Sequence, residues 1–320
     1  MKISTGIWMI VAAAFIIIGI IGFFFVFTMT GWDLTRLGNA KYETGTVEIR
    51  EDFSSISINT DTEDITFTLS EDGKAKVIFY KHEKMKPEVS VQGGNLSIGV
   101  TDTRKWYDRL ALFGSMPKIT VFLPRNAYAS LAIDNDTGDI IIPGNFTFES
   151  IGIKTGTGDV DCNASSSGLI RIKSSTGHII TENISAGGLD LTVSTGKIEA
   201  RSIICEGNVD IHVSTGETLL KDVSCRNVTS DGSTGDITLE NVIVEEMITI
   251  TRSTGDVKFE QCDAGELAVN TGTGNVTGSL LSEKVFITQS DTGRIDVPET
   301  TSGGRCKVTT STGKINIKIK

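Results

Sequence analysis

Ten Thr-Gly pairs recur between residues 137 and 313 of this 320-residue chain at intervals of 19 or 20 residues. The first five are Thr137-Gly138, Thr157-Gly158, Thr176-Gly177, Thr195-Gly196 and Thr215-Gly216; Thr234-Gly235, Thr254-Gly255, Thr273-Gly274, Thr292-Gly293 and Thr312-Gly313 complete the series. A fixed period of this length is the mark of a repeat architecture, in which each unit buries its apolar face only against its neighbours. Two residues after the Gly stands Ile or Val in nine of the ten repeats, from Ile140 and Val160 to Ile315, with Thr218 the exception. Four residues after it another apolar side chain is frequent, as in Leu220, Leu239 and Phe259. Alternation with period two is the signature of a half-buried strand. A second alternating run follows in each repeat, as in Leu189, Leu191 and Val193, so the unit holds at least two strands with a bend at the Gly and another between them.

Competing architectures fail on the same pattern. No segment of the repeat region sustains the helical spacing i, i+3, i+4, i+7. The leucine-rich consensus is missing, and propeller blades need about 40 residues or more. The expected fold is all-β: a parallel β-helix, or β-solenoid, with coils of 19–20 residues. Right-handed coiling is expected by analogy with parallel crossovers. The Gly is expected to supply a corner with positive φ, the Thr to hydrogen-bond along its own stack, and the Asp that often follows (Asp139, Asp159, Asp236, Asp256) to cap its turn locally.

In front of the repeats, residues 7–30 contain no charged side chain, which exceeds the roughly 20 residues a bilayer core requires. Trp8 and Trp32 lie near its ends, and its bulky Phe23, Phe24, Phe25 and Phe27 with no small-x-small site behind them argue against a cleaved leader. The expected organisation is a short tail over 1–6, a transmembrane helix over 7–30, a linker over 31–42, irregular first coils and a cap over 43–130, and regular repeats over 131–320. Within 43–130, the stretch Ile56–Phe67 reads as one further repeat with Glu63 in place of the Gly, and Thr103–Met116, with Trp106 and Tyr107, reads as a loop or short helix. The final strand, Lys314–Lys320, places Lys at most polar positions, as expected of a guarded sheet edge. Lys2 ahead of the apolar run, against a mixed flank behind it, leans towards a C-terminal solenoid outside the cytoplasm and a single pass through the cell membrane.

The segment Pro117-Lys118-Ile119-Thr120-Val121-Phe122-Leu123-Pro124, the repeated Ser-Thr-Gly-Asp turns and the anchor in front resemble the bacterial putative-adhesin family, a domain of unknown function with β-strand repeats. The resemblance covers roughly residues 43–320 and implies the fold, together with a surface or envelope role; it supplies no functional residues.

The chemistry legible in the chain is sparse. A net charge of −10 gives no basic footprint for nucleic acid. His82, His178 and His212 have no companion at metal or triad spacing and read as surface residues. Glycan-cleaving β-helices raise a cleft from long inserted loops, whereas here the coil length is constant, so an enzyme is not expected and no catalytic, cofactor-binding or metal residue is assigned. The acids after the corner Gly invite calcium, but Lys197 and Arg294 interrupt their column and turn capping is the favoured reading. Cys162, Cys262 and Cys306 fall on apolar phases; Cys205 and Cys225 lie nine residues past their Gly in adjacent coils, within disulfide reach, although the odd total of five favours free thiols. The expected function is that of a non-catalytic, membrane-anchored adhesin or scaffold, with a glycan or an envelope protein as partner. An envelope-stress or regulatory accessory is the alternative, and a carbohydrate-active enzyme the disfavoured third.

Overall fold

The computed structural model describes residues 5–29, 42–103 and 117–320. The expected linker over 31–42 therefore lies, but for its last residue, outside the described residues, as do Trp32 and nearly all of the 103–116 segment with Trp106 and Tyr107. Thr5–Met29 is a helix of 25 residues. Its longest continuous stretch of described side chains is 12–25, and among the described residues no helix is long and apolar enough to cross a membrane.

The remainder is a β-solenoid. Successive coils pair in parallel through their main chains, so each inward residue stacks on its counterpart one coil away. One such ladder runs Ile58, Ile133, Ile153, Ile172, and continues over Leu191, Ile211, Ser230, Ile250, Val269, Val308 and Thr288. A coil has three sides. In the coil that begins at Leu189, the long side buries Leu189, Leu191 and Val193, the side after the Gly buries Ile198 and Ala200, and a third side buries Ile203 and Cys205. The corner between the last two is made by a residue in the left-handed region: Asn183, Ser202, Asp222, Asn241 and Gln261 have φ between 51° and 56° in five successive coils. Asn and Asp tolerate that region best, and the Asn241 amide donates to the Asp222 carboxylate one coil away at 2.8 Å.

The Thr-Gly corners form one column, and their stacking is main-chain. Along the column corner Gly amides donate to the Thr carbonyl of the adjoining coil, as in Gly235 N–H to Thr254 O at 2.9 Å and Gly255 N–H to Thr273 O at 2.9 Å, while at the outermost corner the Gly293 amide donates to Ser290 Oγ. The Thr thus serves the stack with its carbonyl, and the hydroxyl bonding that the sequence suggested is seen at Thr292, which donates to Ser311 O at 3.4 Å. The Asp that follows also acts between coils and not within its own turn. The Asp139 carboxylate accepts the Asp159 amide at 2.8 Å, that of Asp159 the His178 amide at 2.7 Å, and that of Asp236 the Asp256 amide at 2.8 Å. Asp236→Ala removes that acceptor at an exposed position where water can replace it in part, so a loss of about 1 kcal/mol is expected, measured by urea denaturation.

At each end the spatial order departs from the chain order. The first coil, Ser55–Thr60 and Asp64–Leu69, stacks directly on Ala127–Thr137 and Ile140–Ile142. The intervening residues leave to build a cap. Asn95–Asp102 and Lys118–Leu123 pair in parallel on the outer side of the first coil, and Met85–Gln92, Lys76–His82 and Tyr42–Glu48 add antiparallel strands beyond them. Glu63 stands at the head of the Gly column, with its carboxylate accepting the amides of Asp61 and Thr62.

At the C-terminal end the order is inverted. Val276–Leu280 pairs with Ile315–Ile319, and Lys284–Ser290 pairs on the far side of Gly304–Thr312. The last coil in sequence is thus slotted between the two before it, and the outermost strands are Lys284–Ser290 and Ile295–Asp296. This overturns the expectation that each coil stacks on the preceding one. The Lys-bearing end strand is covered on its outer side at Ile315 and Asn316, while among the described residues Ile317–Ile319, with Lys318, pair on one side alone. Two glycines let the returning chain through. A Cβ on Gly303 would lie 1.8 Å from Glu283 O, and one on Gly304 1.7 Å from Gly265 O. Lys284 pins the inverted coil, its ammonium reaching Asp263 at 2.8 Å and also Ser282, with its side chain 4% exposed. Burial alone would raise the Asp263 pKa, but Lys284, Ser282 and the Ala264 amide hold it below the usual carboxylate range.

Candidate functional surface

The long side of the solenoid presents outward columns made almost wholly of polar side chains. One runs Asp190, Asp210, Thr229, Thr249, Ala268, Lys307, and its neighbour runs Thr192, His212, Asp231, Thr251, Asn270, Thr309. Towards the first coils the columns thin to Ser57, Ala132 and Gly152. These leave a depression of ≈ 570 Å³ over the sheet, rimmed by Asp134, Lys154, Arg171 and Lys173. Two of those cations are paired, Lys154 with Asp134 at 3.3 Å and Arg171 with Asp190 at 2.7 Å. The side after the Gly is equally charged but mixed in sign, with Arg201 and Lys197 on Glu199 and Lys221 on Glu240. Lys197 holds the Glu199 carboxyl below the usual range, with Arg201 adding to the effect and partial burial opposing it.

The three histidines part company. His82 is buried in the N-terminal cap, a correction to its reading as a surface residue. Its Nδ1 accepts the Lys84 amide at 3.0 Å, and its ring meets Tyr42 edge-on. His178 is exposed. His212 has the companions that its sequence neighbourhood hid: Nδ1 bonds the Asp231 carboxylate of the next coil, and Nε2 lies 3.2 Å from the Ser214 hydroxyl. Nucleophile, base and orienting acid thus stand in the order of a hydrolytic triad. The rest of such a site is not built around them. An acyl-transfer centre needs free donors aimed at the developing oxyanion. Here the strand Asn208–Thr215 is paired in parallel on both sides, and the Gly216 amide donates to Thr234 O at 2.8 Å. The main-chain donors beside Ser214 are consumed by stacking, and His212 and Asp231 are partly solvated on an open face.

No group of three or more His, Cys, Asp or Glu among the described residues is arranged to hold a metal ion. The corner acids direct an oxygen at the next coil's amide, which satisfies them without a cation. All five cysteines are buried free thiols. Cys205 and Cys225 occupy adjacent levels of the third side, and their thiols donate to the carbonyls of Asn208 and Asn227. Burial pushes the Cys225 thiol up to about 12, far from the thiolate that disulfide exchange requires.

The buried group that sequence reading passed over is Arg252, 3% exposed in the core. It occupies the inward position two residues before the Thr-Gly corner, a column that holds Asn135, Thr155 and Ser174 in early coils and Thr271, Thr310 and Ser290 in late ones. The late members satisfy corner carbonyls from inside: Thr271 donates to Gly255 O at 3.1 Å and Thr310 to Gly274 O at 3.0 Å. Arg252 donates to Ser230 Oγ at 2.8 Å, Thr251 O at 3.0 Å and Thr218 Oγ1 at 3.4 Å. Burial lowers its pKa, and Asp231 opposes that shift.

A family model described as Toastrack DUF4097 matches the chain twice, over residues 53–221 and 204–320. No curated protein matches the chain in sequence. Solved structures of similar fold include a putative adhesin from Bacteroides fragilis, at 18% identity and TM-score 0.46, with 88% of this chain and 99% of that one covered. A putative adhesin from Parabacteroides merdae has 13% identity and TM-score 0.41, covering 88% and 98%. A putative lipid binding protein from Parabacteroides distasonis has 16% identity and TM-score 0.43, covering 88% and 98%.

Proposed function

This chain belongs to the Toastrack DUF4097 family, and from that premise we propose that it is a non-catalytic envelope protein, held to the cell membrane by its N-terminal helix and binding a glycan or an envelope protein through the long face of its solenoid. The observation that carries the reading is the unbroken outward face. Parallel stacking commits the main chain to neighbouring coils and keeps inserted loops out of the regular repeats, so what the molecule offers is a repeated polar surface. Repetition along one axis suits an extended or polymeric partner, for which each coil is one more equivalent contact.

The anchor is supported by the helix Thr5–Met29, which has no acidic residue in its first turn and no basic residue in its last, and whose Phe15, Ile16, Ile18 and Ile21 are all exposed. Among the described residues ten Ile, Phe and Met side chains of that helix stand in contact with solvent, which water does not tolerate on an isolated helix and lipid does. Two measurements test the reading. The chain is expected to remain in the membrane pellet after alkaline carbonate extraction. Protease added to intact cells is expected to remove the solenoid, and release by carbonate or full protection from protease would refute the anchor or its orientation. For the partner, chemical cross-linking in cells followed by capture in detergent separates a glycan from a protein. Cross-linking chiefly to a sensor kinase or its associates would replace the adhesive reading with the regulatory one.

A further inference from the structure

We propose that the outermost coil at the C-terminal end is a two-fold self-association surface, on which a second copy of this chain adds its own Lys284–Ser290 strand antiparallel to the first. This goes beyond the function proposed above and does not depend on the anchor. Among the described residues, Lys284–Ser290 pairs with one strand alone, Gly304–Thr312, and apart from the Lys284 carbonyl, which accepts from the Thr300 hydroxyl, no strand or side chain covers its other edge. The core is also uncovered there. Phe286 and Val297 pack on it only partly buried, and Ile295, stacked on the buried Ile315, is 40% exposed; beside them the outward Ile287 adds a further exposed apolar side chain, at 50%.

The two ends of the solenoid treat their edges differently. At the N-terminal cap the outer strands are Tyr42–Glu48, broken by Gly45 and flanked by Glu43 and Glu48, and Met85–Gln92, which carries Lys86, Pro87 and Glu88. Charge, Pro and Gly are the usual guards against strand addition. Residues 285–290, Val-Phe-Ile-Thr-Gln-Ser, have none of them. The one charge on that strand, Lys284, is drawn inward to Asp263 and guards nothing. An uncharged, β-rich edge left beside a bare core is built to be covered by a strand.

The occupant that fits is a second copy. In a chain of net charge −10, two molecules repel across most of their surfaces, and the uncharged strand 285–290 is where they can meet. Antiparallel pairing about Ile287 sets Val285 against Gln289 and Ile287 against itself, with no like charges opposed within 285–290. Each copy's Phe286 and Val297 then cover the other's. A contact of this kind uses the same patch on both molecules and closes at two, and the guarded N-terminal cap gives no second interface from which a filament could grow.

The test is the mass of the full chain in detergent, by light scattering with the micelle contribution subtracted, at tens of micromolar. The expected result is twice the monomer mass. Ile287→Lys, which alters an outward side chain and opposes two ammonium groups at the two-fold axis, is expected to weaken the dimer by about tenfold or more with an unchanged melting temperature. Gln289→Lys, on the same outward row, is the second variant should Ile287→Lys disturb folding. A monomeric wild-type chain overturns the proposal. So does a dimer that survives both substitutions, which would place association in the anchor helix, and so does growth into larger polymers.

Discussion

Gly235→Val is expected to abolish folding of the central coils, or to cost more than about 4 kcal/mol where folded protein is recovered. Gly235 has φ +131°, a region closed to a β-branched residue, and a Cβ placed on it would lie 1.8 Å from the carbonyl oxygen of Gly216 and 2.5 Å from its carbon. Those atoms belong to the main chain of the neighbouring coil, so no side-chain rotation relieves the overlap. Relief requires these two coils to move apart, and that breaks the bond from the Gly216 amide to Thr234 O and the ladders on either side of it. Because each coil is stabilised by its two neighbours, one broken interface divides the stack into two shorter ones. Gly73 is the control: its φ is +70°, but nothing lies within 4 Å of the position a Cβ would take. Gly73→Ala is therefore expected to cost only about 1–2 kcal/mol, from backbone conformation alone. Circular dichroism melts of the two variants decide the matter, and a Gly235→Val melt that matches the wild type would remove the steric account of the corner column.

The regular part of this fold was legible because a solenoid repeats its physics at each level. Ile140, Val160 and Ile179 recur at one phase because they occupy one ladder, and Glu63 could be recognised as a corner by its phase alone. Periodicity is blind to order, however. Thr292-Gly293 and Thr312-Gly313 carry the same signal whichever of them stacks on Thr273-Gly274, so the inversion at the C-terminal end was invisible. The traces that could have suggested it are Gly303-Gly304, which break the coil pattern, and a lone Lys284 at a position that packs inward. Pairs formed across coils were hidden for a related reason: Asp231 meets His212 from 19 residues away, a spacing that no local motif contains. The left-handed corner column mixes Asn, Ser, Asp and Gln, and a column defined by conformation instead of by residue type leaves only a weak pattern.

Three exceptions to the ladders belong to a single feature, and its test has the second large effect. Thr218 stands where the other nine repeats have Ile or Val, Ser230 interrupts a ladder otherwise almost wholly of Ile, Leu and Val, and Gly232 replaces the larger residues of the Arg252 column. Separately each is a lapse in the pattern. Together they make a polar hole around one guanidinium: two hydroxyls accept from it, and a Cβ on Gly232 would come within 3.2 Å of Nη1. Restoring the consensus with Ser230→Ile is accordingly expected to destabilise. It removes the closest acceptor of a buried charge, worth about 1.5–3 kcal/mol, and adds volume beside a side chain that cannot leave, at a further cost of about 1–3 kcal/mol. A loss of about 2.5–6 kcal/mol is expected in urea denaturation, opposite in sign to what the ladder consensus suggests. Arg252→Leu combined with Ser230→Ile should recover most of that loss, because apolar replacement of a buried polar group together with its partner is commonly neutral or stabilising. A double-mutant cycle reads the coupling directly. Additive losses would show that Arg252 and Ser230 act independently, and a neutral Ser230→Ile would show that the hole is incidental to the stability of the stack.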